Sequence, residues 1–127
     1  MDGMDYASEL TSISKEYRQF AYEYQKERAL FAEALNKLIS LIYETGLHTG
    51  KESFENKLPK LLTTDKAKIA KVYIEQLNTA KSNYKGLDKV LDACQAQISA
   101  IQSVIKYNLT GELNTNIANK YERRNLL

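Results

Sequence analysis

Apolar residues recur every three or four positions along most of this chain, and the recurrence has a seven-residue period. From residue 5 to 44, position a of the heptad falls on Leu10, Tyr17, Tyr24, Phe31 and Leu38, and position d on Tyr6, Ile13, Phe20, Glu27, Ala34 and Leu41. Only Glu27 breaks the apolar rule. From residue 65 to 108, position a takes Ala70, Leu77, Tyr84, Leu91, Ile98 and Ile105, and position d takes Tyr73, Ala80, Leu87, Cys94 and Ile101. A seven-residue repeat held this long predicts two long helices, each keeping one seam towards a neighbouring helix. The fold class is all-α: an antiparallel hairpin of two long heptad-patterned helices with a short connecting helix and a C-terminal helical tail.

The punctuation between the helices agrees with this. Thr45-Gly46 supplies a stop, because glycine accepts the left-handed backbone that follows a helix. Residues 45–64 form the connection and hold Gly46, Gly50, Pro59 and the only histidine, His48. Within it, Phe54, Leu58, Leu61 and Leu62 suit a short helix or turn over Glu52–Leu62, limited by Pro59. Thr63-Thr64-Asp65 reads as a helix start. Gly86 sits inside the second helix, which implies either a close backbone approach or a tolerated surface glycine. Thr110-Gly111 reads as its end, with a tail helix over 112–125 carrying Leu113, Ile117 and Tyr121. The chain is read as one helical domain, 1–127.

Apolar residues also spill beyond the seams, at Leu30, Leu35, Ile39 and Ile42 on the first helix and at Val72, Ile74, Val90 and Val104 on the second. A lone hairpin buries one stripe per helix, so these flanks need cover. A homo-oligomeric bundle is the expected solution, with Tyr17, Phe20, Tyr24, Phe31, Leu77, Tyr84, Leu91, Ile98 and Ile101 as its packing seam.

Charge changes the picture more than composition does. The 127 residues carry a net charge of only +2, but it is unevenly placed. Residues 1–50 balance to −3, residues 51–89 to +4 and residues 90–127 to +1. Either the acidic and basic arms match each other, or the basic arm faces an anionic partner such as nucleic acid. The clearest basic feature is a stripe. At 100° per residue, Lys71, Lys81, Lys85 and Lys89 fall within an arc of about 80°. Asp88 and Asp92 flank it. Lys120, Arg123 and Arg124 form a second cluster in the tail. These seven residues are the candidate nucleic-acid contacts. Of the nine tyrosines, Tyr22, Tyr43, Tyr107 and Tyr121 lie off the seams, where they either stack on unpaired bases or pack against a partner.

No constellation points to catalysis, metal or cofactor, and the chain is read as a non-enzyme. The stretch from Gly46 to Glu52 fails as a phosphate loop: its glycines are one residue too close, Glu52 replaces the hydroxyl, and it follows a helix instead of a strand. His48 has no second ligand nearby, and a zinc site needs about four. Cys94, the sole cysteine, lies on the seam and reads as a small apolar residue. No apolar run approaches the ~18 residues of a membrane span. The acidic start, Met1 to Tyr6, is unlike a secretory signal, so a reducing, cytoplasmic setting is expected.

The stretch Leu91-Asp92-Ala93-Cys94-Gln95-Ala96-Gln97-Ile98-Ser99-Ala100-Ile101-Gln102-Ser103 resembles the C-terminal helix of tailed-phage recombination mediator proteins of the UvsY type. There a similar Leu-Asp-x-Cys is followed by Ala-Ile-x-Ser. The resemblance covers residues 91–103 closely and 84–107 loosely; this chain differs upstream in the spacing of Tyr84 and Gly86, and it has no tryptophan. It implies a ring-forming protein that holds single-stranded DNA and helps to load a recombinase, acting in the host cytoplasm if phage-encoded. It transfers no individual DNA-binding residue. Two other readings stay open: a small helical inhibitor or adaptor of the anti-CRISPR kind that docks on a host or phage protein, and a structural coiled-coil scaffold. The hairpins of type VII secretion fit less well, because their Trp-x-Gly turn is absent.

Overall fold

The structure, a computed structural model, describes the backbone of residues 3–126 and the side chains of residues 5–109. It is all-α. Helix α1 spans Gly3–Glu44, a single 3-10 turn covers Leu47–Thr49, α2 spans Phe54–Leu61, and α3 spans Ala67–Leu126. There is no strand among the described residues.

The chain groups into two compact units. One comprises Phe20–Lys89; the other draws on Met1–Gln19 and Val90–Leu127. The Phe20–Lys89 unit contains the C-terminal part of α1, all of α2 and the start of α3. Its core is Ala34, Leu38, Leu41, Ile42, Leu61, Ala70 and Leu77, with Phe31, Leu35, Leu47, Phe54, Leu58, Tyr73 and Ile74 packed against it. Tyr24 and Phe31 meet Tyr84, while Lys37 lies over Tyr73. Residue numbers that rise on α1 therefore meet numbers that fall on α3, so these two stretches run antiparallel. The second unit buries Cys94, Ile98 and Ile101 and half-buries Tyr6, Leu10, Ile13, Tyr17, Leu91 and Ile105.

The heptad positions account for the burial. Every a and d residue from Tyr6 to Leu41, and from Ala70 to Ile105, is buried or half-buried, Glu27 included. The flanking positions divide. Leu30, Ile39, Val72, Val90 and Val104 are exposed, whereas Ile42 is buried and Leu35 and Ile74 are partly covered.

Chain ends and turns follow local chemistry. α1 stops where Gly46 turns left-handed at φ 77°, with its N–H donating to the Tyr43 carbonyl at 3.2 Å. The Thr45 hydroxyl donates to the Leu41 carbonyl at 2.8 Å, an oxygen that also accepts the Thr45 N–H at 3.0 Å. Ser53 caps α2: its Oγ accepts the Asn56 N–H at 3.3 Å. Pro59 sits inside α2, where it lacks an N–H for the Glu55 carbonyl, and the helix ends at Leu61.

Two expected boundaries are corrected. The second long helix begins at Ala67 instead of 65, because the Thr64 hydroxyl accepts the Lys66 N–H at 3.2 Å and its carbonyl accepts the Ala67 N–H at 3.2 Å. Thr64 thus holds residues 64–67 in a turn. Nor does Thr110-Gly111 end that helix: α3 runs unbroken to Leu126, so there is no separate helix over 112–125. Glycine inside a helix costs only about 1 kcal/mol, and no proline follows to enforce a stop. A glycine permits a helix end without dictating one.

Candidate nucleic-acid interface and an open groove

The four stripe lysines are all on α3 within the Phe20–Lys89 unit. Lys71, Lys85 and Lys89 are exposed and Lys81 is half-buried. Their spacing follows from helical geometry: 71 and 89 share one angular position after five turns, and 81 and 85 lie about 80° and 40° from it. None of the four has an ion-pair partner among the described residues; Glu33 and Glu52 pair instead with Lys37 and Lys60. Asp88 is exposed near Lys85 and Lys89, and it offsets part of their field. Lys120, Arg123 and Arg124 lie outside the residues whose side chains are described, as does Tyr121.

The seam residues are engaged within the chain. Tyr84 is the hub: its ring lies 6.1 Å from Tyr24 and 5.4 Å from Phe31, with the Arg28 guanidinium 4.6 Å from its centroid. Edge-on aromatic pairs and a stacked guanidinium each add of order 1 kcal/mol. Phe20 is half-buried and Leu77 is buried in the same unit. In the other unit, Tyr17 and Leu91 are half-buried, and Ile98 and Ile101 are buried. Tyr22, Tyr43 and Tyr107 are exposed, but Tyr43 already stacks on His48 at 4.5 Å. That stack gives His48 a structural role at the end of α1.

Two features were not visible in the heptad pattern. Arg28 sits at an ordinary polar position, and only the three-dimensional placement of Tyr84 gives it a ring to cover. The second feature is a groove of about 660 Å³ between α1 and α3, with Leu30, Glu27, Glu33 and Lys37 on one wall and Val72, Glu75, Gln76, Thr79 and Asn83 on the other. Ala34 and Ala80 form its floor, each almost fully buried. The spill of apolar residues at Leu30 and Val72 was its sequence signal; the pairing of the two was not readable.

The connection contains a local ion pair. The Lys60 ammonium donates to the Glu52 carboxylate and holds that carboxyl below its ordinary value. Lys57 also donates to the His48 carbonyl at 3.4 Å. No group of three or more His, Cys, Asp or Glu side chains is placed to hold a metal among the described residues. No described helix is long and apolar enough to cross a membrane. Around Gly86 a side chain would meet nothing within 4 Å, so that glycine marks no close approach.

No family model, curated protein or solved structure matches this chain.

Proposed function

We propose that the chain is a non-enzymatic helical assembly protein that holds single-stranded DNA against the lysine face of α3. The observation that carries this reading is the set of four lysines on one helical arc with no ion-pair partner among the described residues. Unpaired cations spaced along a helix neutralise successive phosphates and release their counterions, which makes binding salt-dependent and sequence-tolerant. The resemblance of residues 91–103 to UvsY-type mediators extends the proposal to recombinase loading in the cytoplasm, with self-association as part of the action. Lys120, Arg123 and Arg124 extend the basic set in sequence.

Binding to a fluorescent single strand across a salt series tests this reading. Affinity should fall steeply with salt. Replacing Lys81, Lys85 and Lys89 by Ala should flatten the log–log slope by about 2, since each phosphate neutralised on a single strand adds about 0.7 to it. Absence of binding at about 50 mM salt, where such contacts are strong, overturns it. The open groove favours a second reading, a helical inhibitor or adaptor that docks on another protein. That reading gains if the strand is not bound.

A further inference from the structure

The groove between α1 and α3 bears a pattern that is complementary to itself. We infer that it is the face through which two copies of this chain pack about a two-fold axis, Leu30 of each against Val72 of the other. The inference rests on the assembly half of the proposed function and is independent of the nucleic-acid half.

Leu30 and Val72 are 46% and 45% exposed, which is high for aliphatic side chains on the walls of one groove. The buried alanines between them, Ala34 and Ala80, leave room for a close approach. The Lys37 ammonium over the Tyr73 ring places Val72 level with about residue 38 of α1. Leu30 then lies about eight residues, or ~12 Å, further along the axis at 1.5 Å per residue. A two-fold axis through the midpoint, near Ala34, superposes each aliphatic side chain on the other's counterpart.

The charges repeat the same symmetry. Glu27 lies one turn beyond Leu30, away from the axis, and Lys68 lies one turn beyond Val72 on the opposite side. Neither has an ion-pair partner among the described residues. The two-fold brings Glu27 of one copy to Lys68 of the second, and does so twice. An isologous interface needs this reciprocity: residue i meets residue j, and j meets i. The groove walls alone hold three glutamates against one lysine, so they favour a cationic neighbour; Lys68 of a second copy supplies one.

The lysine stripe stays free in this arrangement. Lys81 is nine residues from Val72 and so about 180° around α3, and Lys85 and Lys89 lie about 140° and 100° away.

Sedimentation equilibrium across the micromolar range tests the inference, with helical content read by circular dichroism. The wild-type chain should approach twice its 14.5 kDa mass. Leu30→Glu should give single-chain mass with unchanged helicity, because the side chain it replaces is already half in solvent. Glu27→Lys alone and Lys68→Glu alone should each weaken dimerisation by about tenfold, equivalent to 1.4 kcal/mol. Together, the two reversals should restore it. A wild-type chain that stays at single-chain mass overturns the inference, as does a Leu30→Glu variant with wild-type mass or a double reversal that restores nothing. Strand binding measured on the same samples separates the two proposals. A Leu30→Glu monomer that still binds DNA leaves the lysine stripe standing, whereas a dimer that binds none removes the stripe and leaves the interface.

Discussion

Two flanks of one seam meet different fates in the Phe20–Lys89 unit. On one, Leu35, Ile42 and Ile74 share a cluster with Phe54, Leu58 and Leu61 of α2, and Ile42 and Leu61 are buried. On the other, Leu30 and Val72 face an open groove. The amino acids on the two flanks are alike. What differs is a third helix: α2 lies on the first flank, and no described element lies on the second. Two helices can bury a stripe each, but broad apolar faces need a third body. The chain supplies that body to one flank from its own connection.

The largest test of this contrast is a pair of truncations. Leu61→Ala removes a fully buried side chain of α2 and leaves a cavity among Leu38, Ala70 and their neighbours. It should cost about 2–5 kcal/mol in urea unfolding, the usual range for a buried leucine. Leu30→Ala under conditions that keep the chain monomeric should cost under about 1 kcal/mol, because much of its surface is already in water. Equal costs would mean that the open flank is covered within a single chain, and the contrast would fail.

A smaller effect separates two glycines, Gly46 after α1 and Gly86 within α3. Gly46 holds φ at 77°, the turn that sends the chain from α1 towards α2. Gly46→Ala should destabilise by about 1 kcal/mol, since a side chain strains that left-handed backbone. Gly86 has open space around it on α3. Gly86→Ala should stabilise by about 0.5–1 kcal/mol through helix propensity. Thermal midpoints that move in opposite directions support the assignment; destabilisation at Gly86 would point to a neighbour that a Cβ disturbs.

The seam was legible in the sequence because its physics is periodic. Full or partial burial at every a and d position, from Tyr6 to Leu41 and from Ala70 to Ile105, restates the seven-residue repeat. The turn at Thr45-Gly46 was legible because a single φ value requires glycine. Thr110-Gly111 misled because the same dipeptide is optional where the helix continues: its cost is small beside the hydrogen bonds that propagate α3. The lysine arc could be drawn from spacing alone, but the lack of ion-pair partners among the described residues could not. The groove was the least visible feature. It depends on which side of α1 faces which side of α3, and on α2 taking one flank and not the other. No periodicity within a single helix encodes that choice.

The smallest expected effect concerns the tie that holds the connection beside the covered flank. Glu52, at the start of the segment leading into α2, accepts from Lys60 near its end, and this hydrogen bond holds the Glu52 carboxyl below its ordinary value of about 4.5. A carboxyl depressed in the folded state contributes stability above its unfolded value, and that contribution is lost as pH falls through the folded value. The pair is exposed, so solvent and salt screen it and the gain is slight. Glu52→Gln should therefore lower the thermal midpoint a little at neutral pH and not at all well below the carboxylate range. The difference between the two proteins should close as pH falls past 4.5, and should shrink at high salt. A difference that persists at low pH would show that Glu52 acts through packing or its backbone instead of its charge. The covered flank would then owe nothing to this ion pair, and the burial of Leu61 with its neighbours would be enough to keep α2 in place.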